Sequence, residues 1–215
     1  PLLDRRTSPN PEVAVFYPDT ANKLSDEVMR YRLASAFFER AQALRRVADY
    51  EFASEQLILD GALSRHKVLI FLWGRVAEAP VLEQIDAWVR RGGIVIYPER
   101  QQQREGPLGT PEGDTSIAER WRRGDTGKGR VIFFTGHPEP YHYYVEYLRQ
   151  TLRELPQLSQ EYRQALQLQC PQDVFWSLTQ DGKLVFLNYS DRPATVRLPR
   201  GKTVKIAPYH IVFAP

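Results

Sequence analysis

The sequence predicts an α/β protein: a doubly wound, mostly parallel sheet followed by a small antiparallel all-β domain. Three observations carry this reading. The stretch Lys67–Glu99, KVLIFLWGRVAEAPVLEQIDAWVRRGGIVIYPE, reads as strand, helix and strand; roughly thirty residues is the length of one βαβ unit. Apolar strand runs alternate with helical periodicities from Val13 to about Leu155. From about Gln167 the pattern changes to short alternating strands separated by Gly, Pro and Asp turns.

Taken in order, residues 1–12 read as a linker from a preceding domain; Pro1–Pro11 carries three prolines and several charges. Val13–Tyr17 is the first strand, closed by Pro18 and Asp19. Asp19 or Thr20 caps a long helix to about Arg46, with Leu24, Val28, Tyr31, Ala34, Phe38, Ala41 and Leu44 as its buried stripe. Asp49–Ala53 is the second strand, and Ser54–Asp60 a short helix. Val68–Trp73, nearly unbroken in apolar residues, is a strand covered on both faces. The next helix opens at about Pro80, buries Val81, Leu82, Ile85, Trp88 and Val89, and stops at Gly92–Gly93. Ile94–Tyr97 is the following strand. Arg100–Thr115, with three Gln, three Gly and two Pro, is expected as an exposed loop. Ile117–Arg123 gives one or two helical turns, Arg130–Thr135 a strand and Tyr141–Leu155 a helix. The α/β domain is thus placed at 13–160. In the β domain, 167–215, strands fall at Val174–Thr179, Lys183–Tyr189, Ala194–Leu198, Thr203–Ile206 and His210–Phe213, with Asp181-Gly182 as a two-residue hairpin turn.

Composition narrows the function. The 215 residues suit one large domain, or one domain plus a small one. A formal charge of +3, from 29 basic and 26 acidic residues, is too small an excess to imply nucleic acid or an anionic membrane. No apolar run reaches the length of a membrane span. The single cysteine, Cys170, excludes an internal disulfide and suits the cytoplasm, while remaining compatible with the periplasm or secretion. No Cys/His cluster has zinc spacing, and Gly127-Lys128-Gly129 precedes a strand and reads as a tight turn, so neither a metal nor a cofactor is expected. The basic residues Arg120, Arg122, Arg123, Lys128 and Arg130 are diluted by acidic neighbours and read as a solvated face. A first residue that is proline, with no initiator Met, is expected of an excised piece of a longer protein.

Several runs carry a resemblance: ADYEF at Ala48–Phe52, Leu63–Phe71, WVRRGGIVIYP at Trp88–Pro98, and Gly127–Val131. So do the C-terminal runs LVFLNYSDRPATVRLP and IAPYHIVFAP. The α/β part resembles the glutamine-amidotransferase-like, flavodoxin-like domain that follows the catalytic barrel in some glycoside hydrolases, nearest in kind to the trimerisation domain of family 42 β-galactosidases. The tail resembles the small β-domain that closes those enzymes. The resemblance implies a non-catalytic accessory or oligomerisation region of a glycoside hydrolase-like protein. Its partners would be further copies of itself or a preceding catalytic barrel, with carbohydrate as a possible ligand.

Amidotransferases of this fold carry a cysteine at a tight elbow after a central strand. Here Val68–Trp73 runs into Gly74-Arg75-Val76, without Cys, Ser or Thr at the bend. Cys170, at the join to the β domain, reads as a packed thiol. The carboxyl ends of the strands should present Asp19, Trp73, Arg75, Glu78, Glu99, Arg100 and His137. Three readings stay open for them: sugar binding, a subunit interface, and ordinary loop ends. Asp19, Glu78 and Glu99 could supply the carboxylate pair of glycoside cleavage, with His137 as a base, in a stand-alone hydrolase; caps and ion pairs are the commoner use of such carboxylates. Tyr141, His142, Tyr143 and Tyr144 form an aromatic group read as core plus rim, or as a partner contact.

Overall fold

The computed structural model describes residues 9–24, 27–101, 104–105, 107–136, 141–198 and 201–214. In chain order the elements are β1 (Val13–Tyr17), α1 (Asp19–Leu24), α2 (Glu27–Arg45), β2 (Glu51–Ser54), α3 (Glu55–Leu59), a 3₁₀ turn (Ala62–Arg65), β3 (Val68–Ile70), α4 (Ala79–Arg90), β4 (Ile94–Pro98), β5 (Arg100–Gln101), β6 (Arg104–Glu105), α5 (Ser116–Arg122), β7 (Arg130–Phe134), α6 (Tyr141–Glu154), α7 (Gln160–Ala165), β8 (Val174–Leu178), β9 (Leu184–Asn188), β10 (Ala194–Arg197), β11 (Thr203–Ile206) and β12 (Ile211–Ala214). Two compact units share them: Val13–Ala41 with Tyr50–Tyr144, and Gln42–Asp49 with Val145–Pro215 and the segment ending at Glu12.

The first unit is the predicted α/β layer structure. Its five strands lie in the order β2-β1-β3-β4-β7, and every neighbouring pair is parallel. Alternate strand residues feed two cores. Ala14, Phe16, Leu69, Phe71, Val95 and Tyr97 pack with Ile58 of α3, Val81, Leu82, Ile85, Trp88 and Val89 of α4, and Ala118 and Trp121 of α5. On the opposite face, Phe37 of α2 meets Tyr17 edge-on at 5.3 Å, and Tyr144 at the start of α6 lies 4.9 Å from Phe134. Helix α4 ends as its sequence dictates. The N–H of Gly92 donates to Val89 O at 2.8 Å and that of Gly93 to Trp88 O at 3.1 Å, a Schellman cap with Gly92 at φ +123°.

The second unit holds a three-stranded antiparallel sheet, β12-β9-β8, and the hairpin β10-β11. Helix α7, absent from the predicted elements, supplies the fully buried Tyr162, whose ring packs edge-on to Trp176 at 5.7 Å and whose hydroxyl donates to Asp49 O. Its six residues, QEYRQA, are too few and too polar for periodicity to mark them. Ser159 caps it, accepting from Tyr162 N–H at 3.1 Å.

The long helix expected from Asp19 is described over Asp19–Leu24 and Glu27–Arg45, with residues 25–26 outside the described ones. Four expectations are corrected. The stripe of that helix is corrected in part: Ala41 and Leu44 are buried as expected, but Leu24 and Phe38 are 63% and 51% exposed and Phe37 and Arg40 are buried, while the side chains of Val28, Tyr31 and Ala34 lie outside the described residues. The buried Arg40 is accommodated because its Nη1 donates to Leu72 O at 2.6 Å. The strand expected over Val68–Trp73 is Val68–Ile70: the N–H of Phe71 still donates to Ile96 O at 2.9 Å, but the carbonyls of Phe71 and Leu72 accept from side-chain donors. The 100–115 segment is not wholly exposed: Leu108 is in the core, and Val76 and Gly109 form a parallel bridge. The β8–β9 turn spans three residues: Thr179 N–H donates to Lys183 O and Gly182 N–H to Thr179 O, both at 2.9 Å, with Gly182 at φ +77°.

Candidate functional site

In this strand order the chain reverses its winding between β1 and β3, so the crevice where an α/β sheet holds ligands falls at the carboxyl ends of those two strands. That place is filled. Tyr144, fully buried, donates its hydroxyl to Phe71 O at 2.7 Å, and the buried Arg40 donates to Leu72 O. Gly74 follows at φ +106°, and a methyl group built on it would come within 2.7 Å of Pro18 Cβ. Trp73 is buried beside it, 8% exposed. The turn after β3 is thus held by a tyrosine on one helix, an arginine on another and a proline after β1.

Two carboxylates at this edge, Asp19 and Glu55, serve the chain's own backbone. Asp19 Oδ2 accepts from the N–H of Glu55 at 3.0 Å, while Glu55 accepts from the N–H of Thr20 at 2.8 Å and its hydroxyl at 2.6 Å. The helix starts after β1 and β2 exchange caps. Glu99 takes Arg122 Nε at 3.1 Å. Glu78 stands exposed at the start of α4 without a side-chain capping bond. Arg75 is half-buried, and its carbonyl accepts from Gly109 N–H at 2.9 Å. Of Arg100 the backbone is described, in β5; its side chain and all of His137 lie outside the described residues.

Sequence reasoning missed three groups. Tyr97, at the end of β4, is 2% exposed, and its hydroxyl has no hydrogen-bond partner among the described residues. Burial pushes its phenol well above the ordinary tyrosine range, against Arg75 and Arg122, which pull it down. Asp86, buried on α4, accepts from Trp121 Nε1 and Arg120 Nη2, both at 2.7 Å, and from Arg90 Nε at 3.1 Å. Beside it opens a cleft of about 230 Å³, lined by Asp86, Arg90, Thr110, Asp114, Ser116 and Arg120 among others. Arg90 also meets Asp125 at 3.0 Å, so the basic residues of this region are laced with acids. The third group is Arg40 itself; only its place one turn before Leu44 hinted at burial. Burial pushes the Cys170 thiol up to about 11, away from nucleophilic use at neutral pH.

No protein-family model matches the chain, and no curated protein matches its sequence. Solved structures do match. A β-galactosidase from Bacillus circulans sp. alkalophilus aligns with TM-score 0.60 at 14% identity, over 99% of this chain and 42% of that one. An exo-carrageenase GH42 from Bacteroides ovatus aligns with TM-score 0.56 at 13% identity, over 96% of this chain and 29% of that one. A rhamnosidase from Novosphingobium sp. PP1Y gives TM-score 0.52 at 15% identity, over 94% and 22%. The chain shares its fold with parts of glycoside hydrolases. It spans between 22% and 42% of the length of these three. At such identities the likeness is one of fold.

Proposed function

We propose that this chain is a non-catalytic accessory region of a glycoside hydrolase-like protein. Its α/β unit is an amidotransferase-like scaffold without that fold's nucleophile, used for self-association or for contact with a catalytic domain. The observation that carries this reading is the packed turn after β3. Tyr144, Arg40 and Pro18 occupy the space in which a nucleophile, its base and a substrate would have to meet. The fold likeness to glycoside hydrolases, which are themselves longer chains, supports the association with such an enzyme.

The test is an assay of the purified chain on aryl glycosides and on glutamine, alongside light scattering after size exclusion. The expected result is no turnover and a mass above that of one chain. Turnover that disappears with Glu99→Gln or His137→Ala would instead make the chain a hydrolase in its own right. A single-chain mass for this chain and for its full gene product would remove the self-association role.

A further inference from the structure

The two sheets of the second unit treat solvent differently. In β10-β11 the outward positions are Thr195, Arg197, Thr203 and Lys205, all exposed, as alternation against a half-buried sheet requires. In β12-β9-β8 they are apolar except for Ser177, whose hydroxyl donates to Asp49 Oδ2 at 2.7 Å. The register sets Phe175, Leu187 and Ile211 in one row across the three strands, and Ser177, Val185 and Phe213 in the next. Leu187, Ile211 and Phe213 are 36%, 55% and 39% exposed. Tyr189 and Tyr209 extend the face at one end, 70% and 67% exposed, with their rings edge-on at 6.4 Å. No outward strand position on this face is charged. The ionic groups around it are the Lys183–Asp181 pair at the hairpin, Asp173 at the other end, and Arg45, which lies over the Phe175 ring and pairs with Asp49 at 3.2 Å.

Tyr209 supplies an independent sign of use. It is the one non-glycine among the described residues with positive φ, at +54°. A bulky aromatic in the left-handed region is strained, and here the strain holds an exposed ring beside the apolar rows.

We propose that this outer face of β12-β9-β8 is a self-association surface, occupied by the same face of a second copy. The inference rests on the self-association part of the proposed function and assigns it a place. Area favours this occupant. With roughly 200 Å² for a fully open large side chain, the exposures above leave roughly 530 Å² of Leu, Ile, Phe and Tyr surface. Phe175 and Val185, half-buried on the same face, add to it. A stable pair buries about 800 Å² per partner. Charge is compatible with it as well: like groups meet only near a two-fold axis, and a face without strand charges brings no like charges together there. Two such sheets stack about 10 Å apart with interleaved side chains.

The test is sedimentation velocity on the 215-residue chain over a wide concentration range, with Ile211→Lys and Leu187→Lys as face variants and Thr195→Lys as a control on the polar sheet. Tyr209→Gly suits the backbone at that position and keeps the test alive should a lysine variant fail to fold, as circular dichroism would reveal. The expected result is a dimer whose dissociation constant rises at least tenfold in the face variants and is unchanged by Thr195→Lys. An oligomer that all four substitutions leave intact would overturn this surface while sparing self-association. A wild-type monomer would overturn this surface as well, and would hand the face to another domain or chain.

Discussion

Closure of the crevice at Gly74 can be measured as a stability difference. Gly74 and Gly92 both have positive φ, +106° and +123°, but an added methyl would come within 2.7 Å of Pro18 Cβ at Gly74 and would have nothing within 4 Å at Gly92. Backbone strain alone costs an alanine in the left-handed region about 1–2 kcal/mol. Reduced freedom of the unfolded chain returns about 0.4–1 kcal/mol, so Gly92→Ala should lose roughly 1 kcal/mol net. Gly74→Ala carries the same strain plus about 1–3 kcal/mol for forcing a methyl into a packed contact, hence a loss of roughly 2–4 kcal/mol. Urea unfolding followed by circular dichroism resolves this, since with an m-value of about 2 kcal/mol/M the excess moves the midpoint by roughly 1 M. Gly74→Ser, which restores a hydroxyl to the bend, should fail in the same way. Equal losses for Gly74→Ala and Gly92→Ala, within about 0.5 kcal/mol, would refute the claim that Pro18 shuts the crevice.

Other expectations follow from the buried polar groups. Asp86→Ala should cost about 2–4 kcal/mol, toward the low end because its arginine partners are more than a third exposed and water takes up part of the loss; emission of the buried Trp121 should shift to the red in the same variant. Tyr144→Phe and Tyr162→Phe should each lose about 1–2 kcal/mol with a buried hydrogen bond, whereas Tyr97→Phe, which removes a hydroxyl with no partner among the described residues, should be neutral or gain about 1 kcal/mol in chemical denaturation. Because Tyr97 and Tyr162 have raised phenol pKa values in the folded chain, stability should be level below the ordinary tyrosine value of about 10 and fall as pH climbs above it, where the unfolded chain ionises first; a flat profile to pH 11.5 would contradict their burial. Cys170, its thiol pushed up to about 11, should react with an aromatic disulfide at pH 8 about 100-fold more slowly than in urea.

Elements whose signals are local were legible. Helix α4 declares both its ends in sequence, with Pro80 in its first turn and Gly92-Gly93 completing the cap, and the apolar strands β1 and β4 need no partner to be recognised. That the turn after β3, Gly74-Arg75-Val76, carries no Cys, Ser or Thr was also visible as residue types alone. What fills that turn was not. Arg40 lies 32 residues from the carbonyl it serves and Tyr144 lies 73 residues from its own.

Local chemistry therefore determined the layered α/β architecture, the change to antiparallel strands after it, and a turn after β3 without Cys, Ser or Thr, because periodicity, caps and turn residues act within one or two turns of chain. Only the tertiary structure decided that Phe37 and Arg40, rather than Phe38, are buried on α2, that Asp19 and Glu55 cap each other's helices, and that one β-sheet face is left largely apolar. Those outcomes depend on which distant groups must satisfy a buried carbonyl, N–H or charge, and that pairing exists only once the strands have chosen their order.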